Sequence, residues 1–343
     1  LPHRFVLRQL ASLTEVTEAI REMRVRGAPL IGATAAFGLA LALREDSSDE
    51  ALRRATAELL ATRPTAINLK WAIDRLVRVV APLRPDVRAE RALAEAIAIA
   101  DEDVVTCSRI GDHGLHALRE LVEARRCSAD APLRVLTHCN AGWLAAVDWG
   151  TALAPIYKAH DAGLPIHVWV DETRPRNQGA SLTAFELAEH GVSHTVIVDN
   201  AGGHLMQRGL VDLVLVGSDR TTASGDVCNK IGTYLKALAA RVHGVPFWVA
   251  LPVSTIDWEI VDGIRDIPIE ERNGDEVRSI TGLASDGRVE RVRLLGSESP
   301  VANPAFDVTP AEYVTGLITE YGMFRPTSES LASLKQRVQA DRG

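Results

Sequence analysis

After Pro132 the chain settles into a rhythm that few architectures accommodate: short apolar, β-branched runs alternate with stretches of helical periodicity. The runs are LRVLTHC, PIHVWVDE, SHTVIVD, DLVLVGSDR and PFWVALP, beginning at residues 133, 165, 193, 212 and 246. Their centres are apolar almost throughout rather than alternating, as expected of strands covered on both faces. Parallel neighbours need long crossover connections, and the intervening stretches supply them as helices. The expectation is an α/β fold whose second part, residues 126–343, is a Rossmann-like parallel-sheet domain.

Residues 1–125 read differently. Alanine, leucine and charged residues recur at three and four, which predicts a helical N-terminal domain. Ser12 or Thr14 can cap a first helix ending near Gly27, and Pro29 suits the first turn of a second that runs through Leu43. Ser47 and Asp49 start a third, which Pro64 ends, and residues 66–83 and 88–122 supply more. Beyond the strands, residues 262–293 carry the turn signals Asn273–Gly274 and Asp286–Gly287 and read as a loop or small hairpin. Thr309 followed by Pro310 reads as the opening of a last helix that ends around Gly322.

Composition narrows the function. Acidic and basic residues are interspersed around a net charge of -7, so there is no basic stripe for nucleic acid. The apolar run from Leu30 falls short of the ~20 residues of a membrane span, and no basic-then-apolar leader pattern is seen. Cys107, Cys127, Cys139 and Cys228 are widely spaced, without a zinc pattern, and read as free thiols in a reducing compartment. A cytoplasmic protein with no cofactor, metal, nucleic-acid or membrane partner is expected.

Ligands of open parallel sheets bind beyond the carboxyl ends of the strands. That rule selects Cys139, the stretch 171–173, Asp199 and Asp219. A thiol there is either a reactive group or an inert buried cysteine. His138 precedes it directly, but neighbouring strand residues point to opposite faces, which disfavours a Cys/His pair. Asp219 follows the apolar run DLVLVG, where desolvation favours its acid form, a general acid; the competing reading pairs it with Arg220 or makes it a helix cap. For an anionic ligand, Arg26 and Gly27 precede the helix opened by Pro29, Asn229 and Lys230 are read as opening a helix through about Val242, and Arg63 can point inward. A nicotinamide dehydrogenase is disfavoured, because only Gly142 follows the first strand where a glycine-rich fingerprint belongs.

The segments RGAPLIG, RPTAINLKWA, HCNAGWLA, ETRPRNQGASLTAFEL, DNAGGHLMQRG, GSDRTTASGDVCNKIGTY and NPAFDVTP, in this order along nearly the whole chain, resemble the blocks of the methylthioribose-1-phosphate isomerase family. That family lies in a superfamily with initiation factor 2B regulatory subunits and ribose-1,5-bisphosphate isomerases. The resemblance implies that Cys139 and Asp219 are the catalytic pair. It implies that Arg26, Gly27, Ala28, Arg63, Gln178, Asn229 and Lys230 contact a phosphorylated sugar, and that the chain forms a homodimer. The implied reaction is aldose-ketose isomerisation of 5-methylthioribose 1-phosphate. Alternatives are 5-deoxyribose 1-phosphate or ribose 1,5-bisphosphate as substrate, or a non-catalytic regulatory subunit.

Overall fold

The structure, a computed structural model, describes residues 1–296 and 299–341. Its first part is helical: α1 (Leu13–Arg21), α2 (Ala28–Glu45), α3 (Asp49–Leu60), α4 (Ile67–Val80) and α5 (Pro85–Arg125). Local chemistry sets their starts. The Ser12 and Ser48 hydroxyls accept the backbone N–H of Glu15 and Ala51, and Pro29 and Pro85 stand in the first turns of α2 and α5. The first helix stops at Arg21 rather than near Gly27, freeing residues 22–27 as a loop. The apolar α2 is a core helix: Ile31, Ala35, Ala36, Leu39 and Leu43 are buried in one cluster with Leu59, Leu69, Ile73 and Leu76. Each fully buried leucine or isoleucine contributes about 2 kcal/mol.

The second part contains β1 (Leu133–Thr137), α6 (Leu153–Asp161), β2 (Ile166–Asp171), α7 (Ala184–Glu189), β3 (His194–Ile197), α8 (Ala201–Gln207) and β4 (Leu213–Val216). It continues with β5 (Arg220–Thr222), β6 (Val227–Lys230), α9 (Thr233–Val242), β7 (Phe247–Ala250), β8 (Ile256–Asp257), α10 (Gly263–Asp266) and α11 (Asp275–Arg278). Last come β9 (Ser279–Leu283), β10 (Val289–Arg293), β11 (Phe306–Thr309), β12 (Gly316–Thr319), β13 (Gly322–Phe324) and α12 (Ser328–Ala340). All five runs read from the sequence are strands of one sheet, ordered β13-β12-β7-β4-β1-β2-β3 and parallel except for β13. Clusters on both faces bury it, around Val135, Val168 and Leu215 on one side and Leu136, Val214 and Val249 on the other. The long α5 packs along α2 and α6, joining the two parts.

Two expectations are corrected. Thr309 and Pro310 do not open a helix: after a short 3-10 turn, residues 316–319 and 322–324 are strands. The run GLIT is fully buried beside β7, a setting that rewards β structure over the helical start that Pro310 suggests. The last helix instead follows Thr327, whose side chain caps it. Likewise Asn229 and Lys230 end strand β6 rather than open a helix, because β6 is paired on both sides in the small sheet β11-β6-β5-β8. Residues 279–293 form the expected hairpin.

Candidate active site

The chain leaves β1 toward β2 and β3 on one side, and β4, β7 and β12 lie on the other, so the sheet order reverses between β1 and β4. Such a switch point opens a crevice at the carboxyl edge. Cys139 lies just beyond β1 and Asp219 just beyond β4, and both wall this crevice.

Cys139 holds a left-handed backbone, φ 65°, which is unfavourable for a side-chain-bearing residue. Its surroundings hold it there. The Cys139 N–H donates to Thr173 Oγ1 at 2.8 Å, and its carbonyl accepts from Thr183 Oγ1 at 2.7 Å. Thr173 is in turn fixed by Asp199, whose carboxylate accepts the Thr173 and Arg174 backbone N–H groups, each at 2.7 Å. The ends of β1, β2 and β3 are thereby stapled together.

The helical part closes over this edge. Gly27, with φ 90°, makes the turn into α2, and a Cβ built on it would stand 2.2 Å from the Ala145 carbonyl oxygen, so only glycine permits the approach. Arg26 donates to the Asn140 carbonyl at 2.8 Å and to Asn140 Oδ1 at 2.5 Å, and its other terminal nitrogen lies 3.5 Å from Cys139 Sγ. Asn140 is braced from behind by fully buried Glu186, which accepts from Asn140 Nδ2 at 2.7 Å and from the Tyr157 hydroxyl at 2.6 Å. Burial pushes the Glu186 carboxyl up, against the pull of these donors.

The Asp219 backbone N–H donates to the Cys228 carbonyl at 3.0 Å. Burial pushes its carboxyl above the ordinary range, opposed by the nearby charges of Lys230, Arg26 and Arg63. The competing pairing with Arg220 is not formed. Arg220 instead donates to the Thr65 carbonyl at 2.5 Å and faces Asp257 at 3.5 Å. His138 also turns away from the thiol, spanning Asp171 at 2.9 Å and the Ile231 carbonyl at 2.8 Å. Lys236 occupies the same Asp171 oxygen at 2.8 Å.

Arg26, Gly27, Ala28, Cys139, Asp219 and Asn229 all line the crevice. Arg63 and Lys230 are buried behind it. Lys230 donates to the Ala305 carbonyl at 2.8 Å, and burial pushes its ammonium down, opposed by Cys139 and Asp219. Gln178 is buried in the turn after β2, off the crevice wall, and its side-chain oxygen has no hydrogen-bond partner among the described residues. Arg26 and Arg63 each keep a buried Nε without an acceptor among the described residues. Sequence reasoning missed Glu186 and Glu270, the carboxylates that accept hydrogen bonds from Asn140 and Arg63. The visible signal for Glu186 is a lone acid inside the apolar stretch SLTAFEL. A larger cavity, of about 420 Å³, lies between α5 and the segment 252–254, but none of the candidate site residues lines it.

The model of the initiation factor 2 subunit family matches residues 24–326, a span that contains every one of these side chains. The chain belongs to this family. It is 63% identical over 334 residues to a protein of Methylorubrum populi named methylthioribose-1-phosphate isomerase, covering 97% of this chain and 90% of that one. The crystal structure of 5-methylthioribose 1-phosphate isomerase from Pyrococcus horikoshii OT3 superposes with a TM-score of 0.80 at 41% identity, covering 98% and 91% of the two chains. A structure of translation initiation factor eIF-2B, subunit delta, from A. fulgidus gives 0.75 at 40% identity, covering 96% and 92%.

Proposed function

We propose that this chain is an aldose-ketose isomerase that converts 5-methylthioribose 1-phosphate to 5-methylthioribulose 1-phosphate, a step of methionine salvage. The observation that supports it best is the juxtaposition of Cys139 and Asp219 across the switch-point crevice, with Arg26 on its wall and Arg63 and Lys230 behind. Phosphate on the anomeric oxygen blocks spontaneous ring opening, so the ring oxygen must be protonated by an acid. Asp219, whose acid form burial favours, is that donor. Opening frees the C4 hydroxyl and leaves an electron-poor C1. Hydrogen then passes from C2 to C1 with the help of Cys139, and the C2 hydroxyl returns a proton to Asp219 as the ketone forms. The phosphate stays attached throughout, and the cations and unpartnered guanidinium nitrogens hold it, so remote binding energy orients the reacting carbons. The crevice has room for about 30 Å³, one or two waters, so its walls part when the sugar enters.

The test is turnover by the purified protein of 5-methylthioribose 1-phosphate, 5-deoxyribose 1-phosphate and ribose 1,5-bisphosphate, side by side. Preference for the first is expected. Failure on all three would favour a non-catalytic regulatory subunit; the A. fulgidus neighbour is named a subunit of a translation initiation factor. The enzyme works in the cytoplasm, in keeping with its four free thiols, and as a homodimer. Exposed Val196 on β3 and Val198 just after it, with Leu235 and Val242 on α9, are apolar surface for a second copy to cover, and light scattering of the purified protein tests this.

A further inference from the structure

The segment 262–293 stays outside the proposed chemistry, yet it supplies the carboxylate that engages Arg63. Arg63 Nη2 donates to Glu270 Oε2 at 2.9 Å, across 207 positions of sequence. The second Glu270 oxygen accepts from Arg272 Nη1 at 2.7 Å. Arg272 then forks onto Glu276, with contacts of 3.1, 3.2 and 2.9 Å, and Glu276 Oε1 accepts from Arg176 Nη1 at 2.8 Å. Five alternating charges therefore run from the loop after α3 to the loop after β2, two residues short of Gln178. The backbone ties the same segment down: the Ala305 N–H donates to the Glu270 carbonyl at 2.9 Å, and the Ala305 carbonyl holds Lys230 at 2.8 Å.

The middle of this charge chain is partly withdrawn from water: the side chains of Arg63, Arg272 and Glu276 are 8%, 14% and 14% exposed and that of Glu270 22%, while Arg176 at its end is 32% exposed, so the inner pairs are screened less than surface pairs. Burial pushes the Glu276 carboxyl up, but Arg272 and Arg176 bring it down to about 2. Glu270 engages one nitrogen of a planar fork and leaves Arg63 Nε buried without an acceptor.

We propose that Glu270 is a positioning residue for the isomerisation: its carboxylate, backed by Arg272, Glu276 and Arg176, fixes the Arg63 guanidinium so that its remaining N–H groups meet the substrate's phosphate. The assignment rests on the reading of Arg63 as a substrate contact. A long flexible arginine held in place before the ligand arrives loses less freedom on binding. Glu270 only orders Arg63 beforehand, while Arg26 and Lys230 still hold the phosphate and orient the reacting carbons, so its loss falls on binding.

The experiment is steady-state kinetics with 5-methylthioribose 1-phosphate on the full chain carrying Glu270→Gln, Glu270→Asp, Arg63→Ala and the Glu270→Gln/Arg63→Ala pair. Glu270→Gln is expected to raise KM about 10-fold with kcat changed less than about threefold, Glu270→Asp to recover part of the loss, and Glu270→Gln to add nothing once Arg63 is alanine. An unchanged KM in Glu270→Gln, with KM raised in Arg63→Ala, overturns the role of Glu270 alone. A lowered KM overturns it too, by making Glu270 a competitor of phosphate. An unchanged KM in Arg63→Ala overturns the reading of Arg63 and this proposal with it. If Glu270→Gln does not fold, Arg272→Gln takes its place, with a smaller KM rise expected and a wild-type KM overturning the proposal.

Discussion

The Arg26 guanidinium lies 3.5 Å from the Cys139 sulfur, although 113 positions of sequence separate the two residues. One residue comes from the loop before α2 and the other from the end of β1, so the contact exists only when the helical part closes on the sheet. The same guanidinium grips Asn140, the neighbour of Cys139, through two oxygens. The cation, the thiol and the amide thus form one hydrogen-bonded cluster.

The assigned chemistry predicts that Cys139→Ser and Asp219→Asn each lower kcat by about 10²- to 10⁴-fold. Circular dichroism and melting temperature should stay near wild type, since both side chains face the crevice. Turnover close to wild type in either variant removes that residue from the reaction.

Glu186→Ala should cost both stability and activity. It strips the Tyr157 hydroxyl and the Asn140 amide of a buried acceptor, a loss of about 2–4 kcal/mol, readable by urea unfolding. Asn140 then holds Arg26 less firmly, and kcat/KM should fall at least about 10-fold. A variant that is destabilised but fully active would separate Asn140 from the site.

Gly27→Ala meets a backbone carbonyl that cannot step aside, and its φ of 90° strains any side-chain-bearing residue. The expected loss is about 2–3 kcal/mol, with the start of α2 pushed away from Ala145 and KM raised. Unchanged thermal unfolding and KM would contradict the close approach.

Asp103, on α5, receives the Val147 N–H at 2.8 Å, yet burial pushes its carboxyl up to about 6 from an ordinary 3.8. The folded chain thus keeps a proton that the unfolded chain has already released. Stability from this group is complete below about pH 4 and declines by about 3 kcal/mol as pH rises through 6. Asp103→Asn removes the decline, so its gain over wild type in chemical unfolding should grow from near zero at pH 3.5 to about 3 kcal/mol at pH 7. A gain that is flat with pH would refute it.

The parts legible in the sequence share one property: a local pattern with a single good solution. LRVLTHC and DLVLVGSDR are too uniformly apolar for a half-exposed strand, and the centres of both are buried on both sides. Ser12 and Pro29 begin helices by chemistry within one turn. Where local signals conflicted with the environment, the reading failed. Thr309 and Pro310 look like a helix start, but the next run completes the sheet beside β7. Lys230 looks like a cation at a helix opening, but pairing with β5 and β11 keeps it in a strand.

The site divides in the same way. Sequence by itself determined a parallel sheet with Cys139 and Asp219 at its carboxyl edge, because strand periodicity and the strand-end rule act over a few residues. Its motifs carried the family resemblance as well. Only the tertiary structure decided that the two meet at the switch point, that Arg220 turns from Asp219 toward Thr65, and that Glu186 and Glu270 stand behind Asn140 and Arg63. The physical reason is that orientation and charge in a site depend on partners brought together by packing, 46 positions away for Glu186 and 207 for Glu270. No periodicity in the chain encodes those distances.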